Sequence, residues 1–261
     1  MNKKGSLVNV GLGMTLGSHI TPLSRNYIEK ADVVFVAASD SLIEQWVMTM
    51  NQDVRSLQSY YKEGMSRMIT YKNVIKAIMQ EVRAGKTVCG AFYGHPGVFS
   101  WAPHELVKVA KAEGYKAHMQ PGISAEDCLY ADLGIDPGKT GCTHFEATQF
   151  MCNMRPYDTS VYLILWQISI AGDTSLTKFS IDEKYIQILV DLLLDIYPVN
   201  HQVTLYECAV LPTNFPRIEK IQLNQLAKQT LSLKTTLVIP PMSKRHPNEK
   251  IIKEIENIGL I

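Results

Sequence analysis

The sequence predicts an α/β fold of two domains, with a parallel sheet over residues 1–120 and a mixed sheet over residues 121–261. In the first part, apolar strand-like runs alternate with helical patterns, which is typical of βαβ units and a parallel sheet. In the second part, strands recur with fewer helices between them, which indicates a mixed sheet. Two loops rich in Gly and Pro directly follow predicted buried strands, where open α/β sheets bind their ligands.

The first domain is predicted to alternate strands and helices along the chain. The predicted strands are Ser6–Val10, Asp32–Ala37, Thr87–Phe92 and Tyr115–Met119. The predicted helices are a short stretch ending with Asn26–Lys30, then Ser41–Met48, Tyr71–Ala84 and Pro103–Ala112. The third helix has the strongest pattern, because Val74, Ile78 and Val82 share one face and Gly85 follows as a stop signal.

The second domain is predicted to hold a long apolar strand over Ser160–Ile170 and a helix over Asp182–Tyr197. Two further strands, Gln202–Glu207 and Lys234–Ile239, precede an amphipathic helix over Asn248–Asn257. No internal repeat or low-complexity tract interrupts this order.

Composition narrows the classes of function. Hydrophobic residues make up 46% of the 261 residues, enough for a substantial core, and the formal net charge of +1 argues against nucleic-acid binding. No apolar run approaches the roughly 18–20 residues that span a bilayer, and the N-terminus lacks a signal-peptide core. We expect a soluble, cytoplasmic protein. The five cysteines form no C-x-x-C pair and the seven histidines no ligand spacing, so no metal site is expected.

The two ligand-loop candidates are Tyr93–Phe99 (Tyr-Gly-His-Pro-Gly-Val-Phe) and Pro121–Ala125 (Pro-Gly-Ile-Ser-Ala). Each also has a purely structural interpretation, the first as a β-turn and the second as a helix start capped by Ser124. A third glycine segment, Gly11–Gly17, has the spacing G-x-G-x-x-x-G and so fails the dinucleotide fingerprint. The Gly11–Gly17 segment is equally compatible with a tight turn that reverses the chain and with a ligand-binding loop.

A group of phenols surrounds one guanidinium between the second and third predicted strands, at Tyr60, Tyr61, Arg67 and Tyr71. Alone, this stretch indicates a solvated helix start with half-buried tyrosines. Two further pairs, Trp166-Gln167 and Tyr206-Glu207, end apolar runs and suit either the core or the wall of a cleft.

Taken together, the Gly11–Gly13, Tyr93–Phe99 and Pro121–Ala125 segments resemble the tetrapyrrole methylases, S-adenosylmethionine (SAM) enzymes with an active cleft between two α/β domains. The chain resembles more closely the borosin peptide-backbone α-N-methyltransferases. That closer similarity rests on the tyrosine–arginine stretch and on three segments of the second domain. Those segments are Ala131–Gly138, Phe145–Phe150 and Leu165–Ile168.

The resemblance implies site residues, a cofactor and partners. The implied SAM contacts are Tyr93, His95, Val98, Phe99, Ser124, Ala125, Gln149, Tyr206 and Pro240. The implied catalytic set is Tyr61, Arg67, Tyr71 and Tyr93. The product would be S-adenosylhomocysteine, and the enzyme would be a homodimer. In the helical region from the 40s to the 70s, exposed apolar residues suit a partner face or the core, namely Leu42, Trp46, Met48 and Met50.

The implied chemistry requires activation of a poor nucleophile, because resonance delocalises the lone pair of an amide nitrogen into the carbonyl. A base near nitrogen and a donor aimed at the developing oxyanion are both needed. We assign proton acceptance to Tyr61, and stabilisation of the phenolate or imidate to Arg67. Tyr71 and Tyr93 would orient the amide for in-line methyl transfer.

One departure from the family concerns the substrate. Fusion borosins carry their substrate peptide at the C-terminus, whereas this chain ends at Ile261 with no tail rich in Val, Ile and Gly. We therefore expect the split type, which methylates a separate precursor peptide repeatedly and forms a heterotetramer with it; a chain cut short of its tail would look the same. The alternatives are a SAM-dependent methyltransferase for a small molecule, such as a tetrapyrrole or a modified histidine, and a SAM- or peptide-binding module without activity.

Overall fold

The computed structural model describes residues 5–244 and 246–259. Its first sheet is wholly parallel, with the strand order β3-β2-β4-β1-β5. The strands are β1 (Ser6–Gly11), β2 (Val33–Ala37), β3 (Val54–Ser56), β4 (Thr87–Phe92) and β5 (Lys116–Gln120). Four helices connect them: α1 (Pro22–Lys30), α2 (Ser41–Met48), α3 (Arg67–Arg83) and α4 (Trp101–Ala112).

Helices cover both faces of this sheet because successive strand residues point to opposite sides. Val33 and Phe35 pack with apolar residues of α3 and α4 in one cluster. Val34 and Val36 pack with apolar residues of α1 and α2 in another. The continuous apolar runs of β2 and β4 follow from this burial on both faces.

The second sheet is mixed, with the order β6-β7-β10-β8-β9. Only β6 and β7 pair in parallel among its described strands, and the other pairs are antiparallel. Its strands are β6 (Cys142–Glu146), β7 (Tyr162–Trp166), β8 (Gln202–Glu207), β9 (Arg217–Gln222) and β10 (Thr236–Ile239). The helices are α5 (Ala125–Leu133), α6 (Pro137–Thr140), α7 (Ala147–Cys152), α8 (Glu183–Leu194) and α9 (Glu249–Gly259). Short 3₁₀ turns occupy Gln58–Tyr60, Ile168–Ile170 and Leu223–Lys228.

The predicted fold class is confirmed, but the strand predicted over Ser160–Ile170 is wrong in its second half. Strand β7 ends at Trp166 because Gln167 takes a left-handed conformation with φ of 58°, and a 3₁₀ turn follows. Strands β3 and β9 were not predicted from the sequence, because β3 is short and β9 is mostly polar. The domain boundary at residue 120 stays a prediction; β5 ends at Gln120, and β6 begins at Cys142.

Several surface features bear on partners. None of the described residues of helix α9 is buried, and Ile255 and Ile258 are 62% and 74% exposed. In α2, Leu42 and Met48 are exposed, whereas Trp46 packs against the first domain's core. Within residues 5–244 and 246–259, no helix is both long and apolar enough to cross a bilayer, and no cluster of His, Cys, Asp and Glu side chains suits a metal.

Candidate active site

A cavity of about 310 Å³ opens at the carboxyl ends of β4 and β5, where it faces the second sheet. We call it the cleft. Its walls come from both halves of the chain. They are formed by Met14, Ser39, Tyr93, Gly94, His95, Val98, Phe99, Ser124, Ala125, Glu126, Trp166, Gln167, Tyr206, Cys208, Leu233, Lys234 and Thr236. The volume and the edge of the sheet both suit a small-molecule ligand.

Three glycines bring the loops behind the cleft into backbone contact. A Cβ at Gly122 would lie 2.4 Å from the Gly94 carbonyl oxygen and 2.7 Å from the Gly11 Cα. Gly94 also donates its N–H to the Gly13 carbonyl at 2.9 Å. Gly11 and Gly13 do not line the cleft themselves, but Met14 of the same segment does. The first glycine segment therefore supports the two ligand loops and also adds one side chain to the cleft wall.

Aromatic rings form one wall of the cleft. Phe99 and Trp166 lie with their ring centroids 5.5 Å apart. Phe99 has a φ of 47° and Gln167 a φ of 58°, conformations that cost energy for non-glycine residues and that concentrate at functional sites. The side chains of Phe99 and Gln167 both line the cleft.

A partly buried polar network holds the Trp166 ring in place. Trp166 donates Nε1–H to His144 Nδ1 at 3.2 Å, and His144 Nε2 lies 2.8 Å from the Tyr130 hydroxyl. Indole nitrogen is only a donor, so Nδ1 must accept and the neutral ring carries its proton on Nε2. Tyr130 then donates to Glu126 Oε1 at 2.9 Å. Burial lowers the pKa of His144 against the opposing effect of Glu126, which favours this neutral form.

The floor of the cleft is fixed by a helix cap and a buried phenol. Ser124 caps α5 in a capping box with Asp127, which sets the direction of Ala125 into the cleft. Tyr206 is 1% exposed and donates its hydroxyl to Asp132 Oδ2 at 2.7 Å. This bond ties strand β8 of the second sheet to helix α5.

The tyrosine–arginine insert, residues 57–71, lies beside the cleft. The rings of Tyr61 and Tyr71 meet edge-on with centroids 6.4 Å apart, and Tyr71 stacks on Trp101 at 5.9 Å. Arg67 and Tyr71 stand one turn apart on the same face at the start of α3. Tyr93 joins this group to the cleft, because it lines the cavity and lies close enough to Tyr61 to raise the pKa of that phenol.

Electrostatics distinguish the three phenols. Burial raises the pKa of Tyr61, and the neighbouring phenols Tyr71 and Tyr93 raise it further. Burial also raises the pKa of Tyr71, but the positive charge of Arg67 acts in the opposite direction. Tyr93 is 51% exposed, yet desolvation by the surrounding protein still raises its pKa.

The second half of the chain supplies a counter-charge for the insert. Arg67 Nη2 lies 3.6 Å from Asp173 Oδ2, and the Arg67 backbone N–H donates to the Leu176 carbonyl at 2.8 Å. Leu176 has a φ of 57°. Sequence reasoning did not identify Asp173, which lies about a hundred residues from Arg67 and belongs to no recognised motif.

The cleft gathers most of the predicted ligand contacts. Those that line it are Tyr93, His95, Val98, Phe99, Ser124, Ala125 and Tyr206. Gln149 does not; its side chain is exposed on α7 and accepts from Asn153 Nδ2. Pro240 does not either, and its carbonyl lies 3.0 Å from His201 Nε2. Their assignment as ligand contacts stays a prediction.

Ser39 is a cleft residue that sequence reasoning missed. Its hydroxyl oxygen is buried and has no hydrogen-bond partner among the residues that the structure describes. A buried polar atom without a partner is costly, so a ligand that bonds this oxygen would gain affinity. The sequence could have indicated Ser39, because this residue follows β2 at the same sheet edge as the two predicted loops.

Comparison with known proteins agrees with this architecture. The sequence profile of the tetrapyrrole (corrin/porphyrin) methylases matches residues 6–213. In structure, the chain resembles uroporphyrin-III-C-methyltransferase from Thermus thermophilus with a TM-score of 0.63, over 91% of this chain and 93% of that one. At 18% identity this likeness concerns the fold alone.

Two curated relatives are more similar in sequence. A methyltransferase/ribosomally synthesized cyclic peptide gymnopeptides precursor of Gymnopus fusipes is 39% identical over 257 residues, 97% of this chain and 61% of its own length. A methyltransferase/ribosomally synthesized type I borosin cyclic peptide precursor of Coprinopsis marcescibilis is 38% identical over 256 residues, 95% of this chain and 64% of its own length. The chain thus spans less than two thirds of these relatives.

The profile match runs from the first strand of the parallel sheet past β8 of the mixed sheet, and so includes the cleft residues up to Cys208 but not Leu233, Lys234 and Thr236. That extent is well over half of the 261 residues. On this ground, the chain belongs to the tetrapyrrole (corrin/porphyrin) methylase family.

Proposed function

We propose that the protein transfers methyl groups from SAM to backbone amide nitrogens of a ribosomally made precursor peptide. The observation that carries this proposal is the cluster of three phenols and one guanidinium beside the cleft: Tyr61, Tyr71, Tyr93 and Arg67. The relatives support it, since their names join a methyltransferase to a ribosomally synthesized peptide precursor.

The residues of the cleft fit SAM. The unpartnered Ser39 hydroxyl suits a polar group of the ligand, and the rings of Phe99 and Trp166 present apolar faces of the kind that attract cations. When bound, SAM supplies an electrophilic methyl group on a sulfonium. Tyr93 and His95 would hold that group at the side of the cleft next to the insert.

The insert would activate the amide nitrogen. Removal of its proton leaves an imidate with negative charge on oxygen, which the Arg67 guanidinium would stabilise. The electrostatics favour Tyr71 as the proton acceptor over Tyr61, because the charge of Arg67 acts to lower the pKa of Tyr71. The assignment of the proton to Tyr61 from sequence is therefore revised in this proposal, with Tyr61 and Tyr93 orienting the amide.

The proposal is tested by peptide methylation followed by mass spectrometry. The probe is the part of the Gymnopus fusipes relative outside its match to this chain, supplied as a free peptide with SAM. We expect mass increments of one methyl group, which tandem fragmentation assigns to backbone nitrogens. Arg67→Lys should remove the product, whereas Tyr27→Phe, which is not among the cleft residues and lies edge-on to His118, should not. Methyl groups on side chains only would contradict the proposal.

The same experiment bears on the expected partners. Product formed on the free peptide supports methylation of a separate precursor, whereas product that forms only after fusion of the peptide to the chain opposes it. The expected homodimer, and the heterotetramer with precursor, are tested by light scattering of the protein with and without peptide. Exposed Leu42 and Met48 suit such an interface.

A second candidate is methylation of a tetrapyrrole, which the family profile favours by its description. It keeps the cleft and SAM but gives the insert no chemical role. Incubation with uroporphyrinogen III and SAM tests it, because a methylated tetrapyrrole formed equally by wild type and Tyr71→Phe would support this candidate against the peptide.

A further inference from the structure

We propose that Asp173 is the positioning residue that holds the Arg67 guanidinium against Tyr71, so that the second half of the chain controls the reactivity of the insert. The inference deepens the proposed function and rests on it for the role of Tyr71. Neither family motif nor sequence pattern indicates Asp173; three features of the structure do.

The first feature is the burial and anchoring of the carboxylate. The Asp173 side chain is 1% exposed. It accepts hydrogen bonds from the Ser175 N–H and the Lys178 N–H, both at 3.1 Å, and from the Ser175 hydroxyl. Burial alone would raise the pKa of Asp173, but these donors and the charge of Arg67 outweigh it and lower the pKa. The carboxylate is thus a negative charge that hydrogen bonds hold in place within its own loop.

The second feature is the distance to the guanidinium. Arg67 Nη2 and Asp173 Oδ2 are 3.6 Å apart, which is too long for a hydrogen bond but short enough for strong attraction. Asp173 therefore orients the guanidinium by charge and leaves its N–H donors available to a phenolate or an amide oxygen. A bidentate pair would have consumed those donors.

The third feature is that the same loop also holds the backbone of the insert. The Arg67 N–H donates to the Leu176 carbonyl at 2.8 Å, and the Gly64 N–H donates to the Thr177 carbonyl at 3.0 Å. The loop over residues 172–178 thus fixes both the backbone and the side chain of Arg67. A purely structural bridge would need only the backbone bonds and not a buried carboxylate directed at the guanidinium.

The test measures the pKa of Tyr71 without substrate or SAM. 3,5-Difluorotyrosine at position 71 brings the titration to milder pH, and ¹⁹F NMR follows it. Removal of Arg67 charge in Arg67→Met should raise this pKa and gives the reference. If Asp173 positions Arg67, Asp173→Asn lets the guanidinium move away, and the pKa rises toward the reference value.

A role through charge alone predicts the opposite sign. If Arg67 stays in place without Asp173, the loss of a negative charge leaves net positive charge beside Tyr71, and its pKa falls. A fall, or no change, would overturn the proposal. Asp173→Glu should restore part of the wild-type value, and exposed Asp182→Asn should change nothing. If Asp173→Asn fails to fold, Ser175→Ala loosens the carboxylate and should produce a smaller rise.

Activity provides a second readout. In Asp173→Asn, kcat for peptide methylation should fall roughly 10- to 100-fold, a part of what proton transfer contributes, while KM for SAM stays unchanged. An equal rise in KM for SAM with unchanged kcat would contradict the inference. If wild type methylates no peptide, the proposed function fails, yet the NMR titration still decides whether Asp173 positions Arg67.

Discussion

The cleft and the tyrosine–arginine insert are built by different means, although they meet at Tyr93. The cleft lies at the ends of parallel strands, and its loops are fixed by backbone contact among Gly11, Gly94 and Gly122. The insert has little sheet of its own. It is fixed by side chains and by a loop of the other half, through Asp173 and Leu176.

This difference separates ligand binding from chemistry. Backbone contact tolerates no added atom, so the shape of the cleft depends on the presence of glycine. The insert depends instead on charge and on ring packing, which side-chain changes adjust without collapse of the fold. We therefore expect changes in the first region to remove cofactor binding, and changes in the second to remove turnover while binding stays intact.

The largest effect is expected for Gly122→Ala. Its Cβ would meet backbone atoms of Gly94 and Gly11 at 2.4–2.7 Å, and backbone atoms cannot rotate away. Overpacking costs about 1–3 kcal/mol and occasionally more, and we expect the upper end, together with loss of SAM binding. Calorimetry with SAM and thermal unfolding measure both. Gly259→Ala, where a Cβ meets nothing within 4 Å, is the control; tight SAM binding by Gly122→Ala would refute the packing argument.

Tyr71→Phe should show the reverse pattern. The ring and its stack on Trp101 remain, but the hydroxyl that accepts the proton is lost. We expect kcat to fall about 10²-fold or more, with the Kd for SAM unchanged. Single-turnover methylation and calorimetry on the same preparation make the comparison. A variant that lost SAM affinity together with kcat would show that the insert and the cleft are not separable.

Asp173, which links the insert to a loop of the second half of the chain, should stabilise the fold less in acid. The pKa of Asp173 lies below its ordinary value of 3.8 in the native state, so the carboxylate stabilises the fold fully above pH 3.8. That contribution is lost as pH falls through the lower native pKa. Urea unfolding of wild type and Asp173→Asn should differ by roughly 1–3 kcal/mol near neutral pH, and the two should converge in acid. A constant difference at all pH values would exclude the ionised carboxylate as its source.

Tyr206→Phe should weaken the cleft floor by a moderate amount. The change removes the hydroxyl that bonds Asp132 at 2.7 Å but keeps the buried ring. Since a hydrogen bond to a charged group contributes about 1.5–3 kcal/mol, and water can reach part of this carboxylate, we expect a loss near the lower value. Urea unfolding measures it. Tyr162→Phe serves as a control in the same sheet.

Sequence predicted the two loops that line the cleft because their determinants are local. Strand-then-loop patterns mark Tyr93–Phe99 and Pro121–Ala125, and parallel strands bring the ends of such strands to one edge. The predicted strand beyond Trp166 was wrong because the left-handed turn at Gln167 is not encoded by a glycine. The prediction extended the strand to Ile170 because it relied on apolar content alone.

The support of the insert was beyond sequence reasoning. The phenols were noticed because several of them surround one guanidinium, and the family resemblance gave them a role, but Asp173 is one acidic residue among 25. Its role depends on which loop the folded chain brings to Arg67, and only tertiary structure supplies that information. Burial raises the pKa of both Tyr61 and Tyr71, and Arg67 opposes that rise at Tyr71. The two phenols could therefore not be ranked from their positions along the chain.

The smallest effect is expected for Ser39→Ala, and it sharpens the comparison at the cleft. The Ser39 hydroxyl has no hydrogen-bond partner in the described part of the chain, so its removal should leave the free energy of unfolding unchanged or slightly higher. If SAM bonds this oxygen, the Kd should rise by about 3- to 10-fold, since one hydrogen bond contributes roughly 0.5–1.5 kcal/mol. Calorimetry with SAM measures the change, and exposed Ser180→Ala is the matched control. Unchanged affinity would mean that the ligand leaves this oxygen without a partner. The fit of SAM would then depend on the aromatic wall and the two glycine-supported loops.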